Sequence, residues 1–356
     1  MLSWLSAHPR SWPLAVPFRI SRGLRTTAEV VEVHVRDGDH VGRGESTPYA
    51  RYGETTASVL AQIETLTRAA SRGIDRAQLQ QMLPPGAARN AVDAALWDLE
   101  SQRRGVSVAT LLGQTAPPCL PSAQTIGLDT AERMASAARG HAHLDLLKIK
   151  VGADEPARLI RAVREAAPQA RLMVDPNESW TLALLQAMQP VLAEARVELV
   201  EQPLPAGEDA QLAGFDSTAL LCADESCHVV TDLPRLRGLY QVVNIKLDKT
   251  GGLTGALSLL DAAQAQGFDI MVGCMGCSSL AIAPALHVAR HARFIDLDGP
   301  LWLREDHPGG VSFVGGLLQP TSPQLWGGGL RSADTRAPSS PAPCPQPADA
   351  PVAHVR

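Results

Sequence analysis

Short apolar runs that end in a charged residue recur along this chain at a nearly constant interval. Lys150, Asp175, Glu201, Asp224, Lys246 and Asp296 mark the run ends, and a glycine turn at Gly273 fills the one wide gap. The successive steps are 25, 26, 23, 22, 27 and 23 residues. The runs read LDLLKIK to Lys150, RLMVD to Asp175, VELVE to Glu201, ALLCAD to Asp224 and VVNIK to Lys246. A charge at the end of a buried strand is costly unless something pairs it. A chain that repeats the event in every strand-plus-helix unit is building a site.

Helical stretches are expected between the run ends, over 130–140, 156–166, 182–195, 233–239, 255–266 and 280–291. Helices alternating with short buried strands imply a parallel sheet. With Thr125 as the first strand end the strands number eight, which close into a barrel whose chemistry sits at the strand C-termini. The first 115 or so residues follow another pattern. Residues 29–35 (EVVEVHV) alternate as a half-exposed antiparallel strand, and 41–45 pair with them through the Asp37-Gly38-Asp39 turn. Residues 87–102 place Val92, Ala95, Leu96 and Leu99 on one helix face, with Gly105 as a stop. The expected organisation is an α+β domain over 1–115, a barrel over 116–320, and a disordered Pro/Ala-rich tail over 332–356.

At 356 residues, 45% hydrophobic and 19% charged, the chain has the makings of one large or two ordinary soluble domains. A net charge of −5 and 4% aromatic residues leave no basic footprint and few stacking platforms, which speaks against nucleic acid. His8, Pro9 and Arg10 break the apolar residues of the N-terminus, which argues against a signal peptide. The uncharged stretches 270–286 and 308–330 are interrupted by Gly and Pro, which argues against membrane spans. The six cysteines need no disulfide framework, and a reducing cytoplasm is the simplest home. Cys274-Met-Gly-Cys277 is a lone C-x-x-C, too little by itself for a redox or zinc site.

Asp175, Glu201 and Asp224 come from consecutive strands, so their carboxylates can converge. Three hard oxygen donors with positions left open suit Mg²⁺; a single such acid would more often cap the next helix. Lys148 and Lys150 point the same way from one strand. Adjacent ammoniums disfavour each other, which is expected to lower the pKa of at least one and make it a usable base. The ordinary fate of Lys-x-Lys is a solvated surface, but the apolar run before it argues otherwise. Lys246 lies four strands away, across the barrel. Two lysines facing one carbon from opposite sides can remove and return a proton on either face. Asp296 and Asp298 share a face at strand spacing and could hold a cationic group such as an α-ammonium, or cap a helix.

These residues carry a resemblance. Lys148-Ile-Lys150, Val174-Asp-Pro-Asn-Glu178, Val200-Glu-Gln-Pro203, Ala223-Asp-Glu-Ser226 and Asn244-Ile-Lys-Leu-Asp-Lys-Thr-Gly-Gly252 resemble the muconate-lactonizing subgroup of the enolase superfamily, whose lysine base and Mg²⁺ are a known pairing. Gly273-Cys-Met-Gly276 and Asp296-Leu-Asp-Gly-Pro300 resemble the dipeptide epimerases more closely. So do Pro17-Phe-Arg-Ile-Ser-Arg-Gly23 and the stretch from Gly42 to Gly53, GRGESTPYARYG. The resemblance runs from about Ser11 to Gln319.

It implies an enolase-like α/β fold, a (β/α)7β TIM-like barrel with an N-terminal α+β capping domain. It implies one Mg²⁺ per subunit held by Asp175, Glu201 and Asp224, with Lys150 and Lys246 as the two bases and Lys148 assisting at the substrate carboxylate. Asp296 and Asp298 would take the amino group of a small dipeptide, Thr125 would touch substrate, and Arg22 or Arg25 would bind a glutamate side chain. The implied reaction is 1,1-proton transfer on L-Ala-D-Glu to give L-Ala-L-Glu, in murein peptide metabolism. An N-acylamino acid racemase, a succinylbenzoate synthase, a cycloisomerase or a non-catalytic metal-binding barrel are the alternatives, and a homo-oligomer is left open. Two departures stand out: Pro176 follows Asp175 where the family more often has Ala, and Gly276-Cys277-Ser278 differs from the Glu-containing loop of some relatives.

Overall fold

The computed structural model describes residues 4–20, 23–66 and 73–329. The tail over 332–356 and Arg22 therefore lie outside the described residues. Three antiparallel strands open the chain: β1 (Trp4–Ile20), β2 (Gly23–Asp37) and β3 (His40–Ser46), in the order β1-β2-β3. The expected strand and hairpin are present, and Gly38 supplies the positive φ of 58° that the tight turn needs. The long strand β1 was not expected, because Pro9, Pro13 and Pro17 break its pattern. As an edge strand it tolerates residues that cannot donate to a ladder.

The helix α1 (Ala87–Arg104) lies across this sheet and ends at Gly105 in the left-handed conformation, φ 64°. It packs against β3 at very short range. A Cβ on Gly42 or Gly44 would stand 2.0 Å from the Ala95 carbonyl or 2.2 Å from that of Ala91, so both positions require glycine. The helix is buried almost throughout because its other face meets the barrel. Arg89, for example, donates to the Thr250 carbonyl at 2.8 Å.

The barrel has eight parallel strands in sequence order. They are β5 (Gln124–Ile126), β6 (Leu146–Lys150), β7 (Arg171–Asp175), β8 (Val197–Glu201), β9 (Leu220–Ala223), β10 (Val242–Ile245), β11 (Asp269–Gly273) and β12 (Phe294–Asp296). The Ala123 N–H reaches the Ile295 carbonyl at 2.8 Å and nearly closes the seam. A short ribbon, β4 (Leu120–Pro121) with β13 (Ser312–Val314) and β14 (Leu317–Gln319), forms a separate antiparallel sheet. The helices fall where the repeat placed them, with the fourth cut to Leu233–Leu236. The chain then returns to α1, where the Trp326 indole donates to the Ala94 carbonyl at 3.1 Å.

One inward residue per strand makes an apolar layer inside the barrel: Ala123, Leu146, Met173, Leu199, Cys222, Val242, Met271 and Phe294. Inward positions recur every second residue. The next layer is therefore Thr125, Lys148, Asp175, Glu201, Asp224, Asn244, Gly273 and Asp296. One further step gives Lys150, Lys246 and Asp298. The evenly spaced charges thus belong to two layers, not one, with an apolar plug beneath them.

Buried carboxyls stitch the N-terminal domain to the barrel. Asp248 accepts from the Thr47 N–H (2.9 Å) and the Asn90 amide (2.8 Å), and Asp93 from the Thr254 N–H (3.0 Å) and hydroxyl (2.6 Å). Glu45 accepts from the Ser278 N–H and hydroxyl, both at 2.7 Å. Burial pushes Glu45 and Asp248 up to about 7 and Asp93 up to about 6. A raised acid stabilises the fold fully below its unfolded pKa, and that contribution is lost as pH rises through the folded value. We expect the unfolding free energy from urea titration to fall between about pH 5 and pH 8, by on the order of 1.4 kcal/mol per group and pH unit at most. Asp248→Asn keeps an acceptor for Thr47 and should flatten that slope.

Candidate active site

The barrel mouth under the N-terminal domain forms a pocket. Its polar wall includes Thr125, Lys148, Lys150, Asp224, Lys246, Asp296 and Asp298. Its apolar wall includes Leu14, Phe18, Met275 and Trp302, while Arg25, Tyr49 and Tyr52 reach in from the N-terminal domain. Asp175 and Glu201 are almost wholly buried, at 1% and 0% exposure, in contact with the lysine ammoniums.

The ion pairs are dense. Lys150 Nζ is 2.5 Å from Asp175 Oδ2, and Lys246 Nζ is 2.7 Å from Asp224 Oδ2. Lys148 Nζ stands 2.6 Å from both Glu201 and Asp296 and 3.1 Å from Asp175. Burial works against the charge on Lys148, but Asp296, Glu201 and Asp175 outweigh it and hold the ammonium well above the ordinary lysine range. The expectation that at least one of the two adjacent lysines is depressed therefore fails at Lys148, because it weighed the neighbouring ammonium and not the three carboxylates. Lys246 is likewise buried, and Asp224 and Glu201 raise it well above the ordinary range. For Asp175 and Asp224, lysine neighbours outweigh burial and hold the carboxylates low.

Glu201 behaves differently. Burial and the Asp175 carboxylate push it up to about 7. Its Oε1 accepts from the Asn244 amide at 2.8 Å. Its Oε2 receives no hydrogen bond of good geometry, although the Lys148 ammonium lies 2.6 Å away. Among the described residues, no three His, Cys, Asp or Glu side chains are already arranged to hold a metal ion; lysine ammoniums stand against the acids. The donor chemistry nevertheless fits a hard divalent cation. Three buried carboxylates come from neighbouring strands, one Glu201 oxygen is met by the Lys148 ammonium alone, and five acids, Asp175, Glu201, Asp224, Asp296 and Asp298, crowd the barrel mouth.

Asp296 and Asp298 are not equivalent. Asp296 is taken up by Lys148, and its Oδ1 by the Thr125 hydroxyl at 3.3 Å. Asp298 accepts from the Thr125 N–H at 2.7 Å and the Trp302 indole at 3.2 Å, and burial beside Asp296 pushes it up to about 6. Arg25 lies over the Tyr49 ring, 5.3 Å from its centroid. Among the described residues, the structure thus brings every expected site residue to the barrel mouth.

Sequence reading missed several groups. Lys249 is fully buried and donates to Asp224 Oδ1 at 2.7 Å, to the Asp224 carbonyl at 2.6 Å and to the Asn244 carbonyl at 2.8 Å. Gln202 accepts the Asp224 N–H at 2.9 Å and donates to Ser226 and Tyr240. The signal was available: Lys249 lies three residues after Lys246 on the helical turn Leu247–Thr250, and Gln202 directly follows Glu201. Trp302 and Phe18, with ring centroids 4.4 Å apart, carried no such mark.

A barrel of this order, with lysines and acids at its strand ends and an N-terminal sheet domain over its mouth, defines the enolase-like architecture. The chain belongs to the mandelate racemase/muconate lactonizing enzyme family of the enolase superfamily. Residues 5–113 match that family's N-terminal domain, and residues 129–329 match the domain described as enolase C-terminal domain-like. The chain is similar to the L-Ala-D/L-Glu epimerase of Escherichia coli K12, at 47% identity over 86% of this chain and 97% of that protein. It is also similar to the N-acetyl-D-glutamate racemase of a Pseudoalteromonas species, at 44% identity over 85% of this chain and 96% of that one. Among solved structures, an enolase family member from Agrobacterium tumefaciens with homology to dipeptide epimerases, bound to sodium and L-Ala-L-Glu, superposes with a TM-score of 0.89. It is 47% identical and covers 91% of this chain and 99% of that one.

Proposed function

We propose that this protein is a Mg²⁺-dependent dipeptide epimerase that moves the α-proton of the C-terminal residue, converting L-Ala-D-Glu to L-Ala-L-Glu. The observation that carries the reading is that Lys150 and Lys246 follow strands four apart in an eight-stranded barrel, and so face each other, in one pocket that also holds an acidic pair at its last strand. The E. coli relative supports the choice of substrate.

Asp175, Glu201 and Asp224 would hold the cation. When bound, it supplies the Lewis acidity that makes an α-proton beside a carboxylate removable. With those carboxylates shared with a cation, the support that Asp224 and Glu201 give the Lys246 ammonium would be weaker, and its neutral form would be more accessible as a base. One lysine takes the proton from its face, and the other, protonated, delivers one to the opposite face; the roles exchange with direction. Lys148, fixed by its acids, stabilises negative charge on the substrate carboxylate as it develops. Asp298, held by Thr125 and Trp302, would receive the α-ammonium, with Asp296 behind it. Thr125 lines this end of the pocket. Arg25 is the described arginine suited to a glutamate side chain.

A second reading has its own observation. With its pKa pushed up to about 6, Asp298 takes up a proton below neutral pH and could then donate to an acyl carbonyl, as an N-acylated glutamate would require. Asp298→Asn separates the two. We expect kcat/KM for Ala-Glu to fall about 100-fold as the ammonium loses its partner. N-Acetylglutamate should be a poor substrate of both forms. Good turnover of N-acetylglutamate, retained in the variant, would favour the racemase.

No helix among the described residues is long and apolar enough to cross a membrane. Cys119 is disulfide-bonded, which departs from the expectation of none, but Cys222, Cys227, Cys274 and Cys277 are free thiols, and on those four we place the enzyme in a reducing cytoplasm.

A further inference from the structure

The turn Ala50–Tyr52 is the part of the N-terminal domain that comes down beside Lys246 and Asp224. It is a single 3-10 turn, closed by Tyr52 N–H to the Tyr49 carbonyl at 2.9 Å and by Gly53 in the left-handed conformation, φ 76°. It reaches the barrel at two places. Arg51 makes a two-pronged ion pair with Glu178, Nε to Oε2 and Nη2 to Oε1, both at 2.7 Å. The Tyr52 ring stands edge-on to His228, centroids 4.5 Å apart, four residues past Asp224. Tyr52 itself lines the pocket.

Glu178 is built to be aimed there. It follows Asp175 by three residues, and both Asn177 and Glu178 adopt left-handed backbone, φ 47° and 68°. Asparagine tolerates this conformation, but glutamate rarely adopts it, so Glu178 is held against its own preference. The holding bonds are visible: Asn177 N–H to Asp175 Oδ1 at 2.9 Å, Glu178 N–H to the Gln202 carbonyl at 2.9 Å, and Ala206 N–H to Glu178 Oε1 at 2.8 Å. One carboxylate therefore ties together the Ala50–Tyr52 turn and the loops that follow Asp175 and Glu201. Its side chain is 9% exposed and that of Arg51 39%, so the pair is partly shielded from water.

We propose that Arg51 and Glu178 are positioning residues: their ion pair clasps the Ala50–Tyr52 turn onto the barrel mouth and sets the Tyr52 phenol at the Lys246 end of the pocket. A planar guanidinium engaging a carboxylate through two parallel bonds fixes direction as well as distance, which a hydrophobic contact in this place would not. The inference rests on the epimerase reading for its rate consequences and not for the clasp itself.

The clasp is tested by limited trypsin digestion of the full-length protein, following scission of the Arg51–Tyr52 bond by mass spectrometry. Glu178→Gln keeps the acceptor for Ala206 but loses the charge. Cleavage at Arg51 should accelerate about tenfold relative to other sites in the same digest, with the thermal midpoint unchanged. Should that variant fold poorly, raising salt to about 1 M in the wild-type protein should raise the same cleavage ratio, because the pair is only partly buried. Cleavage at the wild-type ratio in both cases would overturn the proposal. On the dipeptide, Arg51→Glu should lower kcat/KM about 100-fold, and the charge-swapped Arg51→Glu/Glu178→Arg protein should regain part of that loss, because the swap restores the ion pair but not the acceptor for the Ala206 N–H. No recovery in the swapped protein would count against the pair. If even the parent turns over no dipeptide, the epimerase reading fails and the digestion alone decides the clasp.

Discussion

Replacing Lys246 by methionine should lower epimerisation by about 10³- to 10⁴-fold, the range expected for loss of a general base. Lys150→Met should do the same. The two losses differ in a way that a structural defect would not reproduce. Each lysine stands on one wall of the pocket, so each can reach the α-proton of one epimer only. In D₂O, Lys246→Met should still exchange the α-proton of one epimer without inverting it, and leave the other inert; Lys150→Met should show the reverse assignment. Methionine keeps most of the side-chain volume, so the wall is not hollowed. Asp224 does not become an unpaired buried charge in Lys246→Met, because Lys249 holds its Oδ1 at 2.7 Å. Loss of exchange from both epimers in both variants would contradict the two-wall assignment.

The second large effect concerns the cation. Chelation should reduce turnover to background, and Mg²⁺ should restore it. Stability provides an independent reading. A ligand that binds the folded form alone stabilises it by about 2.7 kcal/mol at a hundredfold excess over Kd, so the thermal midpoint should rise with Mg²⁺. Glu201→Gln is the informative variant. It keeps the acceptor for Asn244 and removes the acid that burial and Asp175 push up to about 7. Without cation it should be about as stable as the parent, since Lys148 keeps Asp296 and Asp175 as partners and one of several crowded buried carboxylates is removed. With Mg²⁺ it should gain no stability and show no activity. A Mg²⁺-dependent midpoint in Glu201→Gln equal to that of the parent would remove Glu201 from the ligand set.

The barrel was legible because its strands are buried on both faces and end in charges. Period-2 burial places Leu199 in the plug and Glu201 above it, and the same rule holds for Met173 with Asp175 and Cys222 with Asp224. Strand β1 was not legible, because an edge strand carries prolines that a central one excludes. The lysine electrostatics were misread for a different reason: Lys148 and Lys150 are neighbours in sequence, whereas Glu201 and Asp296, which hold Lys148 charged, arrive from other strands. The inequality of Asp296 and Asp298 has the same origin. Contacts such as Arg51 with Glu178 join residues 127 apart and leave no periodic trace.

The most direct test follows the α-proton itself. L-Ala-L-Glu is incubated with the protein and Mg²⁺ in D₂O and observed by proton NMR. The account predicts that the glutamate α-proton signal disappears, that the alanine α-proton persists, and that resonances of L-Ala-D-Glu grow in at a comparable rate. Retention of the α-proton in Ala-Glu and in every other Ala-Xaa dipeptide, with Mg²⁺ bound, would contradict it.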